Sequence, residues 1–285
     1  MSVPRALAVG VALAIGSIAL GPMAHGQEAA NVVAPTQPPP GGWVVRGSVR
    51  ATVFDGGSGV ARDGTLLEER CRLALGLARD LSVKANLPIY RSFFDRPAPG
   101  QSDFDRRATG LGDLDLTLKL RILQMDLGPV DTIRVSVYGG TEVPTSTAGF
   151  GSRSFDPQVG VTAMGIFGRH GLVQNLAWRF TTASAAEPLL PGDTTADVFS
   201  FGTAYLYRIA PEEFTVEHRG AWYLTAEAIG TAETNGDVEL MLMPGILYEG
   251  PRLVLELTVG VPIVQDVRHR PEASFTASIG VRILF

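Results

Sequence analysis

The side chains that catalysis would need are few and scattered along the chain. Of the four histidines, His25 lies in the amino-terminal apolar segment, His170 in a tight turn, His218 in a connection and His269 in a loop. A hydrolase needs a Ser and a His within hydrogen-bond reach, and His218, close to the start of a strand, keeps that reading open. No His/Cys spacing suits a metal and no glycine pattern suits a phosphate loop, so no cofactor is expected. Carboxylates cluster as Asp113/Asp115, and as Asp103/Asp105 beside Arg106/Arg107. Spacing of two puts Asp113 and Asp115 on one face of a strand. That arrangement suits Ca²⁺, an acid–base pair, or plain ion pairing with basic neighbours.

The elements that must position these groups are strands. From Trp43 onward apolar and polar residues alternate, the pattern of a strand with one face of each kind, and no segment has helical periodicity. In Gly112 to Ile122, Leu114, Leu116, Leu118 and Leu120 face one way, against Asp113, Asp115, Thr117, Lys119 and Arg121. A slip of one residue would reverse both faces, so the register is strongly specified. The pattern recurs in Arg252 to Ile263 and at the carboxyl end, where Phe275, Ile279, Val281 and Phe285 oppose Thr276, Ser278 and Arg282. Strands are expected over 43–55, 68–78, 81–93, 110–122, 131–143, 156–168, 172–183, 197–208, 220–231, 237–249, 252–265 and 273–285. Each is near the ~9–11 residues that cross a bilayer at a tilt.

Ahead of the strands, Arg5, the apolar run Ala6 to Leu20 and the small-residue site around Ala24 and Gly26 are the marks of a secretory signal peptide over residues 1–26. Fifteen apolar residues fall short of the ~20 that a spanning helix needs. The run Gln27 to Gly42 holds Pro35, Pro38, Pro39 and Pro40 with no apolar period, and is expected to be an extended, mobile leader. Ordered structure then covers 43–285. With 24 basic and 29 acidic residues the chain is acidic, which argues against a nucleic-acid partner. A single cysteine, Cys71, rules out an internal disulfide.

A soluble β-sandwich would turn the apolar faces inward, whereas a membrane barrel turns them out. Three features favour the barrel. Gly76, Gly160, Gly202, Gly260 and Gly280 on the polar faces suit a confined interior. Trp43, Trp178, Trp222, Tyr207 and Tyr248 fall near strand ends, where aromatic girdles form. The chain also ends on Phe285, directly after a regular strand. In hydrocarbon every backbone polar group must be paired, so an all-strand protein must close. The expectation is a closed, antiparallel, up-and-down all-β barrel of about 12 strands, the last paired with the first. Connections after odd strands are mostly long and those after even strands mostly short, with Ile209 to Arg219 as an exception. Parity puts the Phe94 to Thr109 loop outside the cell and points Cys71 to lipid beside Leu73 and Leu75.

The segment Gly110-Leu111-Gly112-Asp113-Leu114-Asp115-Leu116-Thr117-Leu118-Lys119-Leu120-Arg121 resembles the hallmark strand of the outer-membrane family named for the MetA-pathway of phenol degradation. Glu142-Val143-Pro144-Thr145, ahead of a Gly-rich loop, resembles that family's next element. The resemblance implies a transporter-like barrel in the bacterial outer membrane, of the kind proposed to admit small organic, often aromatic, molecules. Separately, the last strand with its final aromatic, Phe285, resembles the assembly signal read by the barrel-assembly machinery.

The leading functional expectation is a channel or facilitator for small organic solutes. A plugged structural or adhesive barrel displaying its loops is the alternative, and a lipid-modifying enzyme the third. The expected partners are outer-membrane lipid, the assembly machinery and a small solute. Polar faces predict the lumen lining. Arg46, Arg50, Arg70, Arg72, Lys84, Lys119, Arg121 and Arg134 on the first five strands, joined by Arg282 on the last, make a basic arc. Glu227, Glu239 and Glu256 make an acidic arc on later strands, and Asp113 and Asp115 add carboxylates beside the basic one. In an open lumen the basic excess should favour anions; in a narrow one the two arcs should pair and block it.

Overall fold

A computed structural model of the chain describes residues 28–55, 63–95, 107–185, 188–214 and 220–285. The expected signal peptide, Asp103, Asp105, Arg106, Glu187 and His218 therefore lie outside the described residues. Thirteen strands are present: β1 Trp43–Asp55, β2 Gly64–Ala78, β3 Leu81–Asp95, β4 Arg107–Gly110, β5 Leu114–Asp126, β6 Thr132–Val143, β7 Asp156–Phe167, β8 His170–Arg179, β9 Val198–Ala210, β10 Ala221–Glu233, β11 Val238–Glu249, β12 Leu253–Asp266 and β13 Glu272–Leu284. Short β4 continues into β5, so the wall is a closed antiparallel barrel of twelve strands, as the alternation predicts.

Closure is made by β1 against β13, in register from Val44↔Leu284 to Asp55↔Glu272 with one bulge. The two ends are stitched where Trp43 N–H donates to the Phe285 carbonyl and Phe285 N–H to that of Trp43, at 3.2 and 2.9 Å. This rim, which also holds the short turns, is called the terminal rim, and the other the loop rim.

One stretch of wall departs from the expected strand over 110–122. β3 pairs with β5 over Leu81–Asn86 and with β4 over Arg91–Phe94, and between these ladders the Gly112 N–H donates to the Pro88 carbonyl at 3.0 Å. Pro88 has no N–H to give, so a regular ladder cannot run through it. The β2–β3 register shifts at the same level, between Glu69 and Arg70.

The outer face is apolar along its length, with Leu118, Ile122, Leu257 and Ile279 all exposed. Aromatic rings gather near both rims. Trp222 stacks on Tyr248 at 5.0 Å and His170 on Tyr207 at 5.2 Å near the terminal rim, while Trp178 meets Phe199 at 6.2 Å near the other. Cys71 lies opposite Gly47, between the inward Arg70 and Arg72. Among the described residues no helix is long and apolar enough to cross a membrane, which says nothing of strands.

Candidate functional site

The candidate site is the lumen, and its most prominent occupant is the leader. Expected to be mobile, the leader instead lies inside the barrel from Glu28 to Pro38, with Pro39, Pro40 and Gly41 exposed where it joins the wall. Its Pro-rich sequence cannot build a sheet, but it exposes carbonyls and N–H groups that side chains on the wall satisfy. Read backwards from β1, it travels around the interior. Gly41 N–H donates to the Gly76 carbonyl at 2.8 Å, and the Gln37 amide to that of Asp80 at 3.2 Å. Lys119 on β5 donates to the carbonyls of Thr36 and Ala34, the latter at 2.9 Å. Ser136 on β6 donates to the Pro35 carbonyl at 3.3 Å, and Thr162 on β7 to that of Val33 at 2.6 Å. At Gly202 on β9 a Cβ would meet the Val32 side chain at 3.1 Å, so glycine makes room for it.

The far end of the leader is held by charge. Glu227 on β10 accepts the N–H groups of Ala30, Asn31 and Val32 at 3.1, 2.8 and 2.9 Å. A carboxylate receiving three backbone donors makes charge-assisted bonds, stronger than neutral ones. Arg46 on β1 donates to the Ala30 carbonyl and to Glu256, Arg50 donates to Asn31 Oδ1, and Arg282 on β13 pairs with Glu28.

The wall around the leader has two characters. On β1, β2, β3, β5 and β13 it is polar and mostly basic. Arg70 pairs with Glu68, which Arg91 also reaches; Arg72 meets the Asn86 side chain at 3.3 Å. Opposite, the half of β7 to β12 nearer the terminal rim is apolar. Met164, Val173, Leu206, Tyr223, Leu247 and Val254 are buried there in one cluster with Ala29, Val32 and Ala34 of the leader. The leader thus turns carbonyls to the cations of one wall and methyl groups to the other, where Glu227 and Thr162 are its polar anchors.

Of the expected acidic arc, Glu256 pairs with Arg46 of the basic arc, the pairing expected of a narrow lumen, and the other two find different partners. All three carboxylates are present and buried, but they do not stand as a free acidic surface. Glu256 binds Arg46, Glu227 binds the leader, and Glu239 meets Arg270 of the last loop at 3.0 Å. Between them the wall carries Met243 and the buried hydroxyls of Thr225 and Thr258. Two members of the basic arc stand at the terminal rim: Arg121 bonds Asp80 at 2.7 Å and the Arg79 carbonyl, and Arg134 reaches Asp126 at 3.9 Å.

Asp113 and Asp115 do not form one site. Asp113 gathers the β6–β7 loop, accepting the N–H groups of Thr145, Ser146 and Arg153 at 2.8, 2.7 and 3.3 Å. Asp115 faces Arg179 at 3.4 Å, with Thr117 and Gln158 donating to it. Among the described residues no group of His, Cys, Asp and Glu is placed to hold a metal.

Near the loop rim, Phe54, Leu66 and Phe93 point inward and are covered by Phe150 and Leu189 from two loops. Asp193 holds this cover by accepting the N–H groups of Leu189 and Leu190 at 2.9 and 2.8 Å. Burial pushes its carboxyl up, against the pull of Arg91 and those two donors. Asp237 anchors the last loop through Arg268 N–H and the His269 ring, both at 2.9 Å. Burial opposes its charge, but the His269 side chain and the backbone donors outweigh it and hold the carboxyl below its ordinary value. His170 is bonded to Tyr205 at 2.6 Å.

Sequence reasoning missed Glu68, Arg91 and Arg179, which complete the polar wall. Alternation does place Glu68 and Arg70 on one face, but with strand two begun at residue 68 the pair sits at its edge.

No protein-family model and no curated protein sequence matches the chain. Among solved structures it is similar to the COG4313 outer membrane channel from Pseudomonas putida F1, at 14% identity and a TM-score of 0.54, covering 90% of this chain and all of that one. Lower scores relate it to LpxR from Salmonella typhimurium (8% identity, TM-score 0.46, 85% and 100% covered) and to the CymD monoaromatic hydrocarbon channel (10%, 0.45, 87% and 89%). The fold is that of outer-membrane β-barrels.

Proposed function

We propose that the chain is an outer-membrane channel or facilitator for small organic solutes, apolar or aromatic in body, kept shut by its own leader. The observation that carries this reading is the filling of the lumen. A barrel built only as a scaffold can close its interior with side chains from its wall. Here the centre is filled by a separate stretch of chain that is joined to the wall at Trp43 and held elsewhere by hydrogen bonds and packing. Such a filling can leave. The apolar wall it covers suits hydrocarbon, and the apolar cluster under the loops at the other rim would offer the same chemistry to a solute once those loops move. Export by an amino-terminal signal, insertion through the assembly machinery with Phe285 as its signal, and the absence of enzymatic activity belong to the same reading.

The loop cover gives the alternative its support, because a barrel closed at both levels is also what a structural or adhesive protein would be. Deleting residues 28–39 and measuring conductance in planar bilayers separates the two. A channel gains stable conductance over the full-length protein. A scaffold stays silent after this deletion, even when the Ser184 to Ala196 loop is shortened as well.

A further inference from the structure

We infer that the leader occupies a binding site for amphipathic organic anions, and that such a molecule displaces it by placing its acid group on the basic wall and its apolar body on the apolar wall. This rests on the channel reading and names the class of solute.

Three cations that face the leader hold neutral acceptors of it. Arg46 holds the Ala30 carbonyl, Arg50 the Asn31 amide oxygen, and Lys119 the carbonyls of Ala34 and Thr36. A carboxylate in any of these places would form charge-assisted bonds, roughly twice as strong. The wall also carries positive charge that its own carboxylates do not match. Glu68 is shared by Arg70 and Arg91, and Glu256 by Arg46 and Arg282, the latter matched by Glu28 of the leader. Arg50, Arg72 and Lys84 form no ion pair among the described residues; Arg72 rests on the neutral Asn86.

A cavity of about 10 Å³ is lined by Ala30 and Asn31 of the leader and by Arg46, Arg50, Arg70, Arg72 and Glu256 of the wall. That is room for one water, so a larger acid group enters as Ala30 and Asn31 move aside. Glu227 carries the opposing charge, which places the acid group toward Arg72 and Lys84 rather than beside β10. On the other side Ala29, Val32 and Ala34 cover Val173, Leu206 and Tyr223, and an apolar tail would replace them there. The charge pattern discriminates between solutes. A neutral molecule gains the apolar wall but leaves the guanidinium groups on the leader, and a cation is repelled by them.

The test uses full-length protein carrying Cys71→Ser and Val33→Cys, reconstituted in phospholipid vesicles, with labelling of residue 33 by a hydrophilic maleimide as the readout. The probes are 4-phenylbutyrate, 4-phenylbutanol and 4-phenylbutylammonium, which share one body and differ in charge. Phenylbutyrate is expected to accelerate labelling about tenfold and the other two less than about twofold, the scale of one charge-assisted contact. In the Arg50→Gln/Arg72→Gln variant the ratio of rates with and without phenylbutyrate falls to that of the alcohol. Equal acceleration by alcohol and acid, or none by any probe, overturns the inference. The 28–39 deletion keeps the two readings apart. Conductance after deletion with no response to phenylbutyrate removes the anion site alone. A response to phenylbutyrate with no conductance after deletion upholds the site and removes the channel.

Discussion

The two walls of the lumen are built from the same kind of strand and do opposite things. On β1, β2, β3, β5 and β13, below the Phe54–Leu66–Phe93 cluster, the inward residues are mostly Arg, Lys, Glu, Ser and Thr, joined in ion pairs and hydrogen bonds. On β7 to β12, toward the terminal rim, they are Met, Val, Ala, Leu and Tyr with hydrocarbon contacts. The outer face is apolar over most of its area, as lipid demands, with Glu69 an exception on β2. The inner face is therefore the place where this sequence was free to vary around the ring. A uniform polar lumen would hold water, and a uniform apolar one would resist it. A divided lumen holds something amphipathic, and the leader is that.

The division can be broken most severely on the apolar side. Leu206 is fully buried against the leader's neighbours, so Leu206→Ala removes packing that no hydrogen bond replaces. A loss of about 2–5 kcal/mol is expected in guanidinium unfolding of the reconstituted protein. A change below ~0.5 kcal/mol would mean that this wall is loosely packed.

Next comes the latch between the walls. Glu227→Gln keeps the shape but replaces the carboxylate that receives Ala30, Asn31 and Val32 N–H groups. The amide oxygen cannot serve all three, and the leader should be weakened by about 1–3 kcal/mol. Faster proteolysis of the leader in reconstituted protein is the readout. An unchanged rate would show that packing alone holds it.

The basic wall should be the most forgiving. Arg72→Gln breaks one hydrogen bond, to Asn86, and strands no carboxylate, so it should cost no more than about 0.5–1.5 kcal/mol. Arg46→Gln sharpens the contrast, since it deprives Glu256 and the Ala30 carbonyl together. Glu256 keeps Arg282, so the cost is expected at about 1.5–3 kcal/mol, above that of Arg72→Gln and below that of Leu206→Ala. If the two substitutions prove equal in unfolding, the ion pairs seen here do not govern the wall.

A small effect is expected at Asp237, whose carboxyl is held below its ordinary value by the His269 side chain and two backbone donors against burial. A depressed carboxyl stabilises the fold above the unfolded value near ~3.9 and ceases to do so as pH falls through its folded value. Hydrogen exchange at Arg268 and His269 should therefore rise below pH ~4 in the native chain and be insensitive to pH there in Asp237→Asn.

How much of this was legible in the sequence divides along the same line. Alternation in Leu114 to Ile122 and in Arg252 to Ile263 fixed which faces meet lipid, because a membrane imposes one rule on every strand. The basic residues Arg46, Arg50, Arg70 and Arg72 were legible as inward for the same reason. The apolar inner wall was not, since Met164, Ile166 and Leu206 sit among outward apolar residues and their strands read as hydrophobic on both faces. The leader was hidden more deeply. Its contacts run through carbonyls and N–H groups, which every sequence possesses, and its prolines read equally well as a free tether. One trace was present: Glu227 is an inward carboxylate with no cation on its own strand, and Gly202 and Gly76 leave gaps on the neighbouring strand and at the rim. The break at Pro88 was legible as a proline within a strand, though not as an interruption of the partner ladder.

The central claim, that the leader is a removable filling of a divided lumen, is tested most directly by tying it down. Val32→Cys and Gly202→Cys, with Cys71→Ser, place two thiols where the Val32 side chain packs against β9. Conductance is recorded with 4-phenylbutyrate present, oxidised and then reduced in the same bilayer. The account predicts silence in the oxidised state and channel openings on reduction. Equal conductance in both states would show that solute passes without moving the leader, and would contradict it.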